Sequence, residues 1–361
     1  MKPAKELANV AGAGDLKKVK ELVAADPTLA KDWQPMMDAC FLGQVEVVEY
    51  LLDHGADPNV ISKSAFFYRP LHRTVESKKT IPRGPRHLET VKLLLARGAD
   101  PLLRGACDKH SALAVAALGG ETQFLRLLLA KAPGPHDIFT AALLGDLKRV
   151  QELVKSDPKL AKAKDESGWT ALRYAISTKV GRRDSKLTAD LGVITKLLLE
   201  KGAPTDGLLD PACWAGNLPM VELLISHGAQ IENGDTLNHA ACDGNFALLD
   251  KLIAHGADLH DTRGTEHHGG YWPFGCAVTL RSVQGVKWFL DHGEHPNEVG
   301  SSIGETALHI AARFGAAEPL LQLLLDRGVD AKRKDKNGKT ALDAAINAGK
   351  TKTAEFLKAR G

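Results

Sequence analysis

The sequence predicts an all-α fold, a solenoid of stacked helix-turn-helix units, and three observations carry that expectation. Residues 304–315 read GETALHIAARFG, an apolar helical run follows, and DRGVD closes the phrase at 326–330. Worn copies of its ending recur as LLDHGADPN at 51–59, LLLARGADP at 93–101, LLLEKGAP at 197–204, LLISHGAQ at 223–230, LIAHGADLH at 252–260 and FLDHGEHPN at 289–297. A second form repeats as well: GDLKKVKELVAADPTLAK at 14–31 returns as GDLKRVQELVKSDPKLAK at 145–162.

Each part of the phrase has a physical reading. Thr306 stands where a hydroxyl caps a helix N-terminus, and Ala311 and Ala312 give the first helix a small-residue face for close packing. Leu321, Leu324 and Leu325 sit at helical spacing and mark the buried side of the second helix. Gly328 follows them where a left-handed residue ends a helix. In the second form Asp26-Pro27 and Asp157-Pro158 replace the glycine, because a residue before proline is pushed out of the helical region. One such pair of helices cannot close a core alone, so each is stable only between neighbours.

The pattern resembles the ankyrin repeat, a β-turn finger and two antiparallel helices with a period of about 33 residues. Degenerate copies number about eleven and account for nearly the whole chain, so 1–361 is expected to be a single ankyrin-repeat solenoid domain. The two copies of the second form suggest an internal four-repeat duplication covering 7–137 and 138–268. The resemblance implies β-turn fingers and first helices lining one concave groove, with the second helices as the outer wall. It also implies that His309 and His72, in the TxLH phrase, are structural imidazoles.

Composition sets limits on function. With 44% hydrophobic, 25% charged and only 5% aromatic residues, the chain is neither disordered nor fibrous. A formal net charge of +3 is too mild to indicate nucleic acid, and the basic runs at 78–86, 182–186 and 332–336 fall in predicted turns or insertions. Five scattered cysteines argue against a disulfide framework and for a reducing compartment. Neither a signal peptide nor a membrane-spanning run is evident. The expectation is a cytoplasmic monomer with no cofactor, no metal, no nucleic-acid partner and no membrane anchor.

Departures from the repeat point to the site. Two first-helix positions flanking the Ala-Ala pair should face the groove, and their polar and aromatic occupants gather in the second and third copies and again in the sixth to eighth. The candidate contacts are Asp38, Arg73, Glu76, Trp169, Arg173, Tyr174, Asp210, Trp214, His239, Asp243 and Arg313. The finger at 260–272, HDTRGTEHHGGYW, is long and glycine-hinged, and it adds His267, His268, Tyr271 and Trp272. Insertions at 78–87 and 178–190 are expected to frame the stack without touching the groove. Aromatic and arginine anchors suit a protein partner held in the groove.

The alternative is a small polar ligand enclosed between the sixth and tenth copies. His239 and Asp243, four apart on one helix face, would then form a general-base pair. Tyr174 or Tyr271 as acid and Arg173 as anion holder would complete a cofactor-free elimination or isomerisation. Nucleotide-loop, zinc-protease and nucleophile-elbow motifs are absent, which excludes the commonest enzyme classes.

Overall fold

The computed structural model describes residues 3–76, 83–105, 109–132, 134–180, 184–214, 218–231, 235–242, 244–259, 272–297 and 303–360, with backbone alone for Trp214, Asp235, His239 and Cys242. The chain divides into two compact units, Met1–Pro204 and Thr205–Gly361. Among the described residues the first unit holds α1 (Pro3–Ala13), α2 (Leu16–Ala25), α3 (Trp33–Leu42), α4 (Val45–Asp53), α5 (Pro70–Val75), α6 (Pro85–Ala96), α7 (Ala112–Gly119), α8 (Thr122–Lys131), α9 (Ile138–Leu144), α10 (Leu147–Ser156), α11 (Ala171–Ser177) and α12 (Ser185–Glu200). The second unit holds α13 (Leu209–Trp214), α14 (Leu218–Ser226), α15 (Asp235–Cys242), α16 (Phe246–Ala254), α17 (Pro273–Thr279), α18 (Val283–Asp291), α19 (Ala307–Phe314), α20 (Glu318–Asp326), α21 (Ala341–Asn347) and α22 (Thr351–Lys358). Among the described residues these are eleven consecutive helix pairs, the number of copies read from the sequence.

Within each unit the first helix of a pair packs on the first helix of the next, as α3 does on α1 and α5, and α17 on α15 and α19. The alanine face makes this possible: Ala311 and Ala312 are fully buried. On α20 the buried leucines are Leu320, Leu321 and Leu324, while Leu325 is only half-buried, one turn position off the expected stripe. Gly328 ends the repeat at φ 85° with open space where a Cβ would lie, so backbone conformation alone demands glycine there.

Side chains of the repeated phrase tie one repeat to the next. Asn59 donates through Nδ2 to the Gly98 carbonyl at 2.9 Å, and its Oδ1 accepts from the Asp100 amide at 2.8 Å. Asn297 repeats both bonds on Gly328 and Asp330 at 2.9 and 2.8 Å. The imidazole of His309 bridges the Thr306 hydroxyl at 2.8 Å and the Lys339 carbonyl at 3.0 Å. His72 Nε2 lies 2.9 Å from the His110 carbonyl, and burial pushes the imidazole down to about 4, so it is neutral at pH 7. Both histidines are structural, as the resemblance implied.

The Asp-Pro form folds the same way twice. α2 and α10 each run into a 3₁₀ turn, Pro27–Lys31 and Pro158–Lys162. Asp26 and Asp157 adopt φ, ψ of −145°, 95° and −142°, 98°, and their carboxylates accept from the Thr28 and Lys159 amides. Cys40, Cys213 and Cys276 are buried, and none of the three forms a disulfide. No described helix is long and apolar enough to cross a membrane.

Candidate partner-binding site

Three of the residues singled out in the second and third repeats converge. Arg73 on α5 lays its guanidinium 3.9 Å over the Phe41 ring and 5.0 Å from that of Tyr68. Its Nη1 is 3.6 Å from Glu76 Oε2, and the Tyr68 hydroxyl donates to Glu76 Oε1 at 2.9 Å. Asp38 on α3 feels the same guanidinium: burial pushes its carboxyl up, and Arg73 pulls it back.

The insertion before α6 reaches this cluster from the C-terminal end of α5. Arg83 lies 4.8 Å over Phe41 and donates to the carbonyls of Phe41 at 2.7 Å and Arg73 at 3.0 Å, and to that of Glu76. The physical reason is the short α5, which ends after six residues and leaves C-terminal carbonyls for a guanidinium to satisfy.

A second cluster forms at the sixth repeat. Arg173 lies 4.5 Å over the Trp169 ring, whose centroid is 5.0 Å from that of Tyr174. Tyr174 donates to Asp165 Oδ2 at 2.8 Å and lies 3.1 Å from His110 Nδ1. Arg104 Nη1 is 2.9 Å from the same carboxylate oxygen, and Asp165 Oδ1 accepts from the Ser167 and Trp169 amides at 2.9 and 3.0 Å. Burial opposes the Asp165 charge, but the bonds from Ser167, Tyr174, Arg104 and the Trp169 amide outweigh it and hold the carboxyl down to about 2.

The fifth repeat explains why these fingers meet. Its loop between Lys131 and Ile138 is too short for a finger, so the hairpin of β1 (Arg104–Gly105) and β2 (His110–Ser111) reaches the turn at 163–170. A cleft of about 220 Å³ remains where the missing finger would project, lined by Leu102, Arg104, Ser111, Thr140 and Tyr174 among others.

Two expected contacts are corrected. Tyr174 is 3% exposed, and burial with the Asp165 carboxylate pushes its phenol up to about 12. Its hydroxyl is committed to Asp165, so it is not poised as a general acid. Trp272 is 2% exposed: it donates Nε1 to Glu294 Oε1 at 2.6 Å and meets Phe274 edge-on at 5.8 Å. An indole whose N–H finds a buried acceptor belongs to the core.

The second unit holds the remaining candidates. Asp210 is half-buried in the first turn of α13, and Arg313 pairs with Glu305 through Nε and Nη2, both at 2.9 Å. The side chains of Trp214 and His239, and all of Asp243, His267, His268 and Tyr271, lie outside the described residues. Sequence reasoning missed Phe41, Tyr68, Arg104, His110 and Asp165. The Asp-Glu-Ser-Gly-Trp run at 165–169 was the available signal, since an aspartate opening such a turn bonds the amides that follow.

The chain matches "Ankyrin repeat" over residues 31–63 and "Ankyrin repeats (3 copies)" over 274–361. The crystal structure of the human ASB11 ankyrin repeat domain superposes with a TM-score of 0.51 at 25% identity, covering 63% of this chain and 98% of that one. The chain is an ankyrin-repeat protein. Curated relatives share only stretches of it. Diacylglycerol kinase iota of Homo sapiens is 40% identical over 79 residues, 21% of this ankyrin-repeat chain and 7% of the kinase. The Neurogenic locus Notch protein of Drosophila melanogaster is 40% identical over 67 residues, 19% of this chain and 2% of Notch. The Transient receptor potential cation channel subfamily A member 1 homolog of Caenorhabditis elegans is 41% identical over 59 residues, 16% of this chain and 5% of the channel.

Proposed function

We propose that this ankyrin-repeat protein is a recognition scaffold that holds another protein along the concave groove formed by its fingers and first helices. Ankyrin repeats generally mediate protein–protein interaction. The observation that carries the reading is the pair of arginine–aromatic stacks, Arg73 on Phe41 and Tyr68 and Arg173 on Trp169, both built on first helices of the first unit. Arginine and large aromatics, held rigid before a partner arrives, are the residues that dominate interface energetics. Both stacks sit beside ion pairs that fix their geometry, Arg73 with Glu76 and Arg104 with Asp165. Buried thiols fit a reducing compartment, and the protein acts as a cytoplasmic monomer.

Site-specific photocrosslinking tests this. With benzoylphenylalanine in place of Phe41, a protein partner is captured in cells; with the same group in place of Lys155, an exposed residue of the second helix α10, it is not. Capture only from position 155 would move the binding face to the outer wall and contradict the reading.

A further inference from the structure

The third repeat projects the finger 60–69, and its tip is apolar and exposed. Phe66 and Phe67 are each 55% exposed and Ile61 42%, while Leu102 on the adjacent finger is 44% exposed. Phe66 and Phe67 are consecutive, and exposed apolar surface of this kind is ordinarily buried or used.

The tip is held and strained. Ser62 N donates to the Tyr68 carbonyl at 2.7 Å, Phe67 N donates to that of Ser64 at 3.2 Å, and Arg69 clamps the base by donating to the carbonyls of Asn59 and Arg104. Phe67 adopts φ 49°, a left-handed conformation that bulky residues disfavour. Such strain persists where the surroundings over-determine it, and it gathers at binding sites. The Phe67 carbonyl stands 3.1 Å from where a Cβ of Gly105 would lie, so glycine at 105 lets the two fingers close up.

On the finger itself charge has one sign. The finger 60–69 carries Lys63 and Arg69 and no acidic residue. Lys63 is exposed, as is Lys109 at the tip of the next finger.

We propose that the Phe66–Phe67 tip anchors the partner, taking a protein segment of apolar side chains flanked by aspartate or glutamate. This rests on the scaffold reading and names the chemistry of its partner. The rings supply a rigid apolar anchor with few torsions to freeze, and Lys63 and Lys109 select against basic flanks.

The probe is a phage-displayed random dodecapeptide library panned on the full chain, with enriched peptides synthesised and measured by fluorescence anisotropy. Apolar peptides with acidic flanks are expected, and Phe66→Ser and Phe67→Gly each weaken them at least about tenfold. Phe67→Gly keeps or raises the melting temperature, because glycine accepts φ 49° without cost, so its loss of binding is not unfolding. No enrichment, or peptides that bind the Phe67→Gly chain as tightly as the parent, overturns the proposal. So does dimerisation, or co-sedimentation with phosphatidylserine vesicles, that Phe66→Ser abolishes, since the tip would then serve a second copy or a membrane. A partner crosslinked at position 41 that binds Phe66→Ser and Phe67→Gly normally would leave the scaffold reading standing and remove only this anchor.

Discussion

His72 and Asp165 show how single residues in the first unit are set by partners far along the chain. His72 is held neutral by burial at about 4 against an ordinary 6.5, so between those values the unfolded chain binds the extra proton and stability falls on acidification. Asp165 is held down to about 2 against 3.8, so its contribution is fully present above 3.8 and is lost as pH falls toward 2. Melting temperature followed against pH should therefore drop in two windows, with His72→Gln flattening the upper one and Asp165→Asn the lower. An unchanged profile in either variant would contradict the assignment. The histidines of the TxLH phrase were legible because their bonds stay within adjacent repeats. Trp272 and Tyr174 were not, because their burial is decided by Glu294 and by His110, partners 22 and 64 positions away that no local pattern announces.

At the scale of the element, the repeat was readable because every structural device recurs at a fixed interval. The glycine that ends the second helix and the asparagine that reaches the next finger are visible as letters. Replacing Asn59 with Ala removes both bonds to the following repeat and should cost about 1 to 2 kcal/mol, and Asn297→Ala the same. Urea titration of each variant checks this; a loss at Asn59 with none at Asn297 would show that the two copies are not equivalent. The cluster at Arg73 was half legible: the first-helix positions stood out, but Arg83 arrives from an insertion whose path depends on where α5 stops. The loop of the fifth repeat is short enough to have signalled a missing finger, a signal the sequence reading passed over. Its consequence, two fingers meeting across the gap, needs three-dimensional distance.

At the scale of the whole molecule, helix pairs stacked by neighbour contacts within each unit make stability a sum of local interfaces. Leu198 of the first unit and Leu224 of the second are fully buried, and truncating either to Ala should cost about 2 to 5 kcal/mol. Hydrogen exchange should rise chiefly in the unit that carries the substitution; a uniform rise over all repeats would contradict neighbour-limited coupling. The proposed function rests on one face. Once the partner captured at position 41 is purified, calorimetric titration is the decisive measurement. Arg73→Ala and Trp169→Ala should each weaken binding at least about tenfold while Lys155→Ala leaves it unchanged. Parental affinity in both first-helix variants, or loss in Lys155→Ala, would contradict recognition through the fingers and first helices.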